Sequence, residues 1–289
     1  MKITTSEGDT KLLMKESLRD DVMSSKLPVN CGIPNTPAMI YIVGRPGSGK
    51  SLMVESLMGE QWSIGKGKET CFDSIWYFCP RTSQGSYKNS FMEDLDPDKT
   101  YEDLSPDNLW DVYNQIQDLN PPDLKDKWGR KVEPKYSCLI MDDVITEINS
   151  KAVKPIVARM SKNHRHLRVV IIIISQNYML LEKNTRDCVS HLIQYNTTNL
   201  RERERINEEW VGWANNREFD EFWSYIFDKP YEFLIANRRT DEYHKTFNPI
   251  TIEDIHSQPL KKNDEKKLKG SKSKTKKTID KKEDEEEPR

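Results

Sequence analysis

Residues 44–51 read Gly-Arg-Pro-Gly-Ser-Gly-Lys-Ser. This fits G-x-x-x-x-G-K-[ST], and the chemistry of that pattern is phosphate binding. Gly44, Gly47 and Gly49, with Arg45, Pro46 and Ser48 between them, let backbone N–H groups turn inward around an anion. Lys50 is expected on the β- and γ-phosphates, and the Ser51 hydroxyl on Mg²⁺. The eight residues form the expected binding set for a nucleoside triphosphate.

Such a loop needs a metal-side carboxylate at the end of a neighbouring strand. Asp142, after the apolar run Tyr136–Met141, has that place. Asp143 is then the candidate general base for an attacking water, with Glu147 as the fallback. Its bland alternative is a helix cap or turn carboxylate. Ser175-Gln176-Asn177 ends the next apolar run. Gln176 can sense the γ-phosphate or hold the water there; otherwise it only begins a loop. A polyphosphate transition state also calls for extra positive charge. Asn163-His-Arg-His-Leu-Arg168 is the richest source, and Arg186 in EKNTRDC is another. The ordinary fate of an arginine is a solvated surface charge.

The elements that must carry these groups are legible as apolar runs. Strands are expected at Ala38–Val43, Ser74–Cys79, Tyr136–Met141, Val169–Ser175, His191–Tyr195 and Glu232–Ala236. Helices are expected over Lys50–Met58, Leu109–Leu119, Lys151–Asn163, Glu208–Ala214 and Phe219–Phe227, and a short amphipathic one over residues 11–25. The unbroken β-branched run VVIIII suits a central parallel strand buried on both faces. Strands alternating with helices predict an α/β fold with a mainly parallel central sheet flanked by helices. A whole strand separates the loop helix from the acidic strand, which is the RecA-like arrangement. There is no NKxD guanine element, so ATP is the expected nucleotide.

Composition sets the bounds. The chain has 289 residues, 45 Lys+Arg against 47 Asp+Glu, and five cysteines with no metal-ligand spacing. Reduced, buried thiols are expected. Residues 1–37 read as an N-terminal arm, 38–256 as the P-loop ATPase domain and 257–289 as a charged, disordered tail. Residues 261–289 hold 12 basic and 8 acidic residues. No apolar run is long enough for a bilayer and no signal peptide opens the chain, so an intracellular soluble protein is expected. Arg201, Arg203 and Arg205 alternate with glutamates and read as a solvated or intersubunit surface. Arg130-Lys131 is a candidate loop-tip contact to nucleic acid.

GRPGSGKS, LIMDDV, NHRHLRVVIIIISQN and NTRDCVSHLIQY together resemble the genome-packaging ATPases of large double-stranded DNA viruses. The nearest type is the poxvirus packaging ATPase with its giant-virus and virophage relatives, within the FtsK–HerA class. The resemblance covers about residues 38–200. It places a trans-acting arginine eleven residues before a strand-end glutamine, matched by Arg165 and Gln176, and a second arginine further on, matched by Arg186. It implies a homo-oligomeric ring of five or six subunits that threads double-stranded DNA using ATP, working in host cytoplasm, at an assembly site or in the virion, with a capsid or portal protein as a further partner. The wider class has Asp-Glu where this chain has Asp142-Asp143. A P-loop kinase of a nucleoside or other small molecule, or a non-catalytic ATP-binding switch, are the alternative readings.

Overall fold

A β-branched run with no polar face has to be covered on both sides, and Val169–Ser175 is. The computed structural model describes residues 37–58, 71–84, 95–121, 128–130 and 132–252. Those up to Ile250 belong to one compact unit. The expected helix over residues 11–25, the rest of the arm and the tail lie outside the described residues.

Nine strands make one sheet. They are β1 (Met39–Val43), β2 (Ser74–Phe78), β3 (Thr100–Tyr101), β4 (Ser137–Asp142), β5 (Val169–Ser175), β6 (His191–Tyr195), β7 (Phe233–Asn237), β8 (Glu242–Lys245) and β9 (Asn248–Ile250). Their order is β3-β2-β4-β5-β1-β6-β7-β8-β9. The first six in that row are mutually parallel, and β7, β8 and β9 continue antiparallel. The sheet is therefore mixed, mainly parallel, and β5 lies between β1 and β4 as the motif order requires.

The helices are α1 (Lys50–Ser56), α2 (Arg81–Gln84), α3 (Pro106–Leu119), α4 (Ile145–Ile148), α5 (Lys154–Asn163), α6 (Lys183–Arg186), α7 (Leu200–Ile206) and α8 (Asn216–Ile226). Successive strand residues point to opposite faces, and the two cores divide accordingly. Ile171 and Ile173 pack with residues of α3, α5 and α8. Val170, Ile172 and Ile174 pack with Met53 and Val54 of α1. Helices thus cover both faces of the sheet.

Strands β3, β8 and β9 and helices α2, α4 and α6 are additional to the expected elements, and two expected helices are placed differently. Helix α3 starts three residues before Leu109, because Ser105 caps it by accepting from Asn108 N (3.2 Å) and Pro106 opens the first turn. The helix expected at Glu208–Ala214 is instead α7 followed by a π-helical turn, Asn207–Val211. Asn199 caps α7 by accepting from Arg201 N and Glu202 N, so the LRERERI segment is helical, and two of its arginines are in ion pairs. Arg203 pairs with Asp220, and Arg205 with Glu208 at 2.8 Å. Of the described cysteines, Cys71, Cys79 and Cys138 are buried and Cys188 is partly buried. Among the described residues no helix is long and apolar enough to cross a membrane.

Candidate nucleotide site

The parallel register sets the strand ends level. Val43 of β1 lies beside Ser175 of β5, and Ile42, Ile174 and Asp142 form one row across β1, β5 and β4. Asp142 is therefore two strands, about 10 Å, from the root of the glycine-rich loop. The loop leaves β1 with Gly44 N donating to Ser175 O (3.1 Å) and runs into α1.

Two glycines are required by this geometry. Gly49 has φ +100°, a left-handed value open to glycine. Gly44 is needed for space, since a Cβ there would lie 2.5 Å from Ser48 Oγ and 2.8 Å from Tyr195 Cβ. Tyr195, the last residue of β6, also donates from its hydroxyl to Gly49 O (3.1 Å). It braces the loop from below, a part that the sequence does not signal beyond its place at a strand end. Alanine at Gly44 is expected to overpack this contact by about 1–3 kcal/mol. In thermal melts the variant should show a lower Tm that ATP no longer raises.

Lys50 Nζ donates to Gly44 O (2.7 Å) and Arg45 O (3.0 Å). Burial lowers the ammonium pKa, against an opposing pull from Asp142 and Asp143, and the net direction is down. Both carboxylates are thus close enough to be felt by the lysine. Asp142 is 7% exposed at the end of β4. Asp143 follows in a left-handed conformation, φ 56°. Its carboxylate accepts from Ser83 Oγ (2.9 Å) and Gln176 Nε2 (3.3 Å). Three segments distant in sequence meet at this carboxylate, and Ser83, in α2 beyond the end of β2, is the member that sequence reasoning missed. Glu147 is exposed on α4.

Beside these groups, between the ends of β1, β5 and β6, lies a polar cavity of about 240 Å³ lined by Gly44, Gln176, Gln194, Thr197 and Glu202 among others. Glu202 is 2% exposed. It accepts from Tyr178 N and Thr197 Oγ1, both at 2.6 Å. A buried carboxylate inside LRERERI has no sequence signature, because its neighbours in the chain are solvated.

The two arginines are placed differently. Arg165 is exposed in the turn after α5, at the start of β5. Gln176 follows the other end of that strand, so at about 3.3 Å per residue the two are roughly 20 Å or more apart. Arg165 cannot reach its own loop. Its turn is held by His164, whose Nδ1 meets Ser161 O at 2.6 Å and whose Nε2 lies 3.3 Å from Arg239 Nη2. Arg239 also donates to Pro37 O (2.9 Å). Burial, with the charges of Arg239 and Arg165, pushes the His164 imidazole down to about 4 and keeps it neutral.

Arg186 lies in a different setting. It is 5% exposed, and binds Glu209 through Nε (3.0 Å) and Nη2 (2.9 Å) under the Tyr178 ring. Burial opposes the Glu209 charge, but the hydrogen bonds from Arg186 and Tyr178 outweigh it, and the carboxyl titrates below its ordinary range. In this structure the guanidinium is committed to Glu209. Arg130 is exposed and stacks over Trp128 at 4.8 Å; Lys131 lies outside the described residues.

The family model described as Poxvirus A32 protein matches residues 33–208. No curated protein matches the sequence. Among solved structures, the chain is similar to the genome packaging NTPase B204 of Sulfolobus turreted icosahedral virus 2 in complex with AMP. The identity is 15%, over 74% of this chain and 98% of that one, with a TM-score of 0.46. The B204 DNA-packaging ATPase of Sulfolobus turreted icosahedral virus gives 18%, 74%, 99% and 0.46. ATPases 2 and 3 of EssC from Geobacillus thermodenitrificans give 11%, 75%, 41% and 0.48.

Proposed function

Since the chain belongs to the Poxvirus A32 protein family, a family of viral genome-packaging ATPases, we propose that its ATP hydrolysis drives double-stranded DNA into a capsid. The protein is an ATP hydrolase, which sets aside the kinase and switch readings. The observation that carries the site assignment is the Asp143 carboxylate, held by Gln176 and Ser83 at the strand ends beside a glycine-rich loop.

In this reading Gly44–Ser51 cradle the triphosphate and Lys50 turns from the loop carbonyls to its β- and γ-oxygens. Asp143 takes the proton of the attacking water, which Gln176 helps to orient. The donor set fits Mg²⁺, a hard cation that takes oxygen ligands: one hydroxyl, Ser51, and one nearly buried carboxylate, Asp142, would hold it. Bound there, the ion would offset charge on the transferring phosphoryl group. Ser48 Oγ, buried without a hydrogen-bond partner among the described residues, is a further donor for phosphate. Arg165, facing away from its own site, acts on the site of a neighbouring copy, which makes the working form a closed ring. The expectation of five or six subunits is part of this proposal.

The test is steady-state ATP hydrolysis with and without linear duplex DNA. Turnover is expected to rise several-fold with duplex, as for other motors that couple hydrolysis to a polyanion track. Turnover indifferent to duplex of any length would remove the translocase reading.

A further inference from the structure

A triphosphate in this loop has a direction. With Asp143 and Gln176 at its terminal phosphate, as proposed, it would run from the β4 and β5 side of β1 to the other side, placing the nucleoside over β6. A cleft of about 450 Å³ lies there, within the size range of small-molecule sites. The glycine-rich loop lines one part of it, Tyr195 and Asn196 at the end of β6 another, and the segment from Phe227 to Glu232, between α8 and β7, the rest.

That segment is held in place. Lys245 of β8 donates to Tyr225 O (2.8 Å) and pairs with Asp228 and with Glu232 (3.2 Å). Lys229 N donates to Glu232 Oε2 (2.9 Å). On this fixed segment Tyr231 is 74% exposed and sits at φ 65°. A bulky residue in the left-handed region is strained, and such strain collects at ligand sites. The Tyr231 side chain gains nothing from the core to offset that strain.

We propose that this cleft takes the nucleoside of the bound nucleotide, with the Tyr231 ring as the face on which adenine stacks. The inference rests on the nucleotide-binding reading of the loop. Base–aromatic stacking makes Tyr231→Ala weaken ATP binding roughly tenfold or more. Inorganic tripolyphosphate, which has no base, should bind the variant as it binds the unaltered protein. Tyr231→Phe keeps the ring and should restore ATP affinity.

Isothermal titration of the full chain with ATP and with tripolyphosphate, for the three proteins, separates the outcomes. Selective loss of ATP affinity, restored by Phe, supports the site. Unchanged ATP affinity in Tyr231→Ala, or equal loss for both ligands, overturns it while leaving the loop assignment standing. An unaltered protein that binds neither ligand overturns the loop assignment, and this inference with it.

Discussion

Alanine at Arg165 will lower ATP hydrolysis by about a thousandfold or more while leaving ATP binding intact, the effect of removing an arginine finger. The reason is geometric. Arg165 is exposed at the start of β5, beyond reach of its own loop, on a turn fixed by the His164–Arg239 contact. The decisive version mixes two inactive proteins. Lys50→Ala subunits lack the phosphate lysine but carry Arg165, and Arg165→Ala subunits have the reverse. Mixed, they should regain turnover, because an intact loop can sit beside an intact arginine. A mixture as inactive as its parts would show that Arg165 does not act across subunits.

Asn at Asp143 will lower turnover by about a hundred- to ten-thousandfold, the usual contribution of a general base. The substitution conserves shape and the left-handed backbone, which Asn tolerates as well as Asp. ATP affinity should therefore be unchanged, and single-turnover hydrolysis is the measurement to make. Asp143→Glu is the companion variant. The φ of 56° at this position favours the shorter side chain, a physical reason for Asp where the wider class has Glu. Ser83 and Gln176 already meet the shorter carboxylate, so Glu should lose part of the activity. Full turnover in Asp143→Asn would move the base elsewhere, with Glu147 the first residue to test.

The sheet's centre was legible because burial there leaves a compositional trace. Val169–Ser175 and His191–Tyr195 were read with their observed bounds, since only a strand covered on both faces tolerates such runs. β8 and β9 left no trace: Glu-Tyr-His-Lys and Asn-Pro-Ile belong to a half-solvated antiparallel edge. The site divides in the same way. The sequence singles out the loop, Asp142, Asp143 and Gln176 because each follows or ends an apolar run, and the parallel register sets those run ends level. It does not single out Tyr195, Ser83 and Glu202, because what places them is a contact with a distant segment. Arg186 shows the converse. Its local sequence resembles a reactive arginine's, and only the structure shows its commitment to Glu209, 23 residues away.

If Arg165 acts across subunits as proposed, its position also bears on inheritance. A subunit whose hydrolysis depends on a residue it does not own makes a defective copy dominant. One Arg165→Ala chain leaves its own loop sound and silences the next one, so in a cell infected with both alleles the damage outruns the mutant's share of the pool. A loop mutation such as Lys50→Ala falls first on the chain that carries it. Arg165 and the glycine-rich loop thus predict two patterns of dominance from one gene.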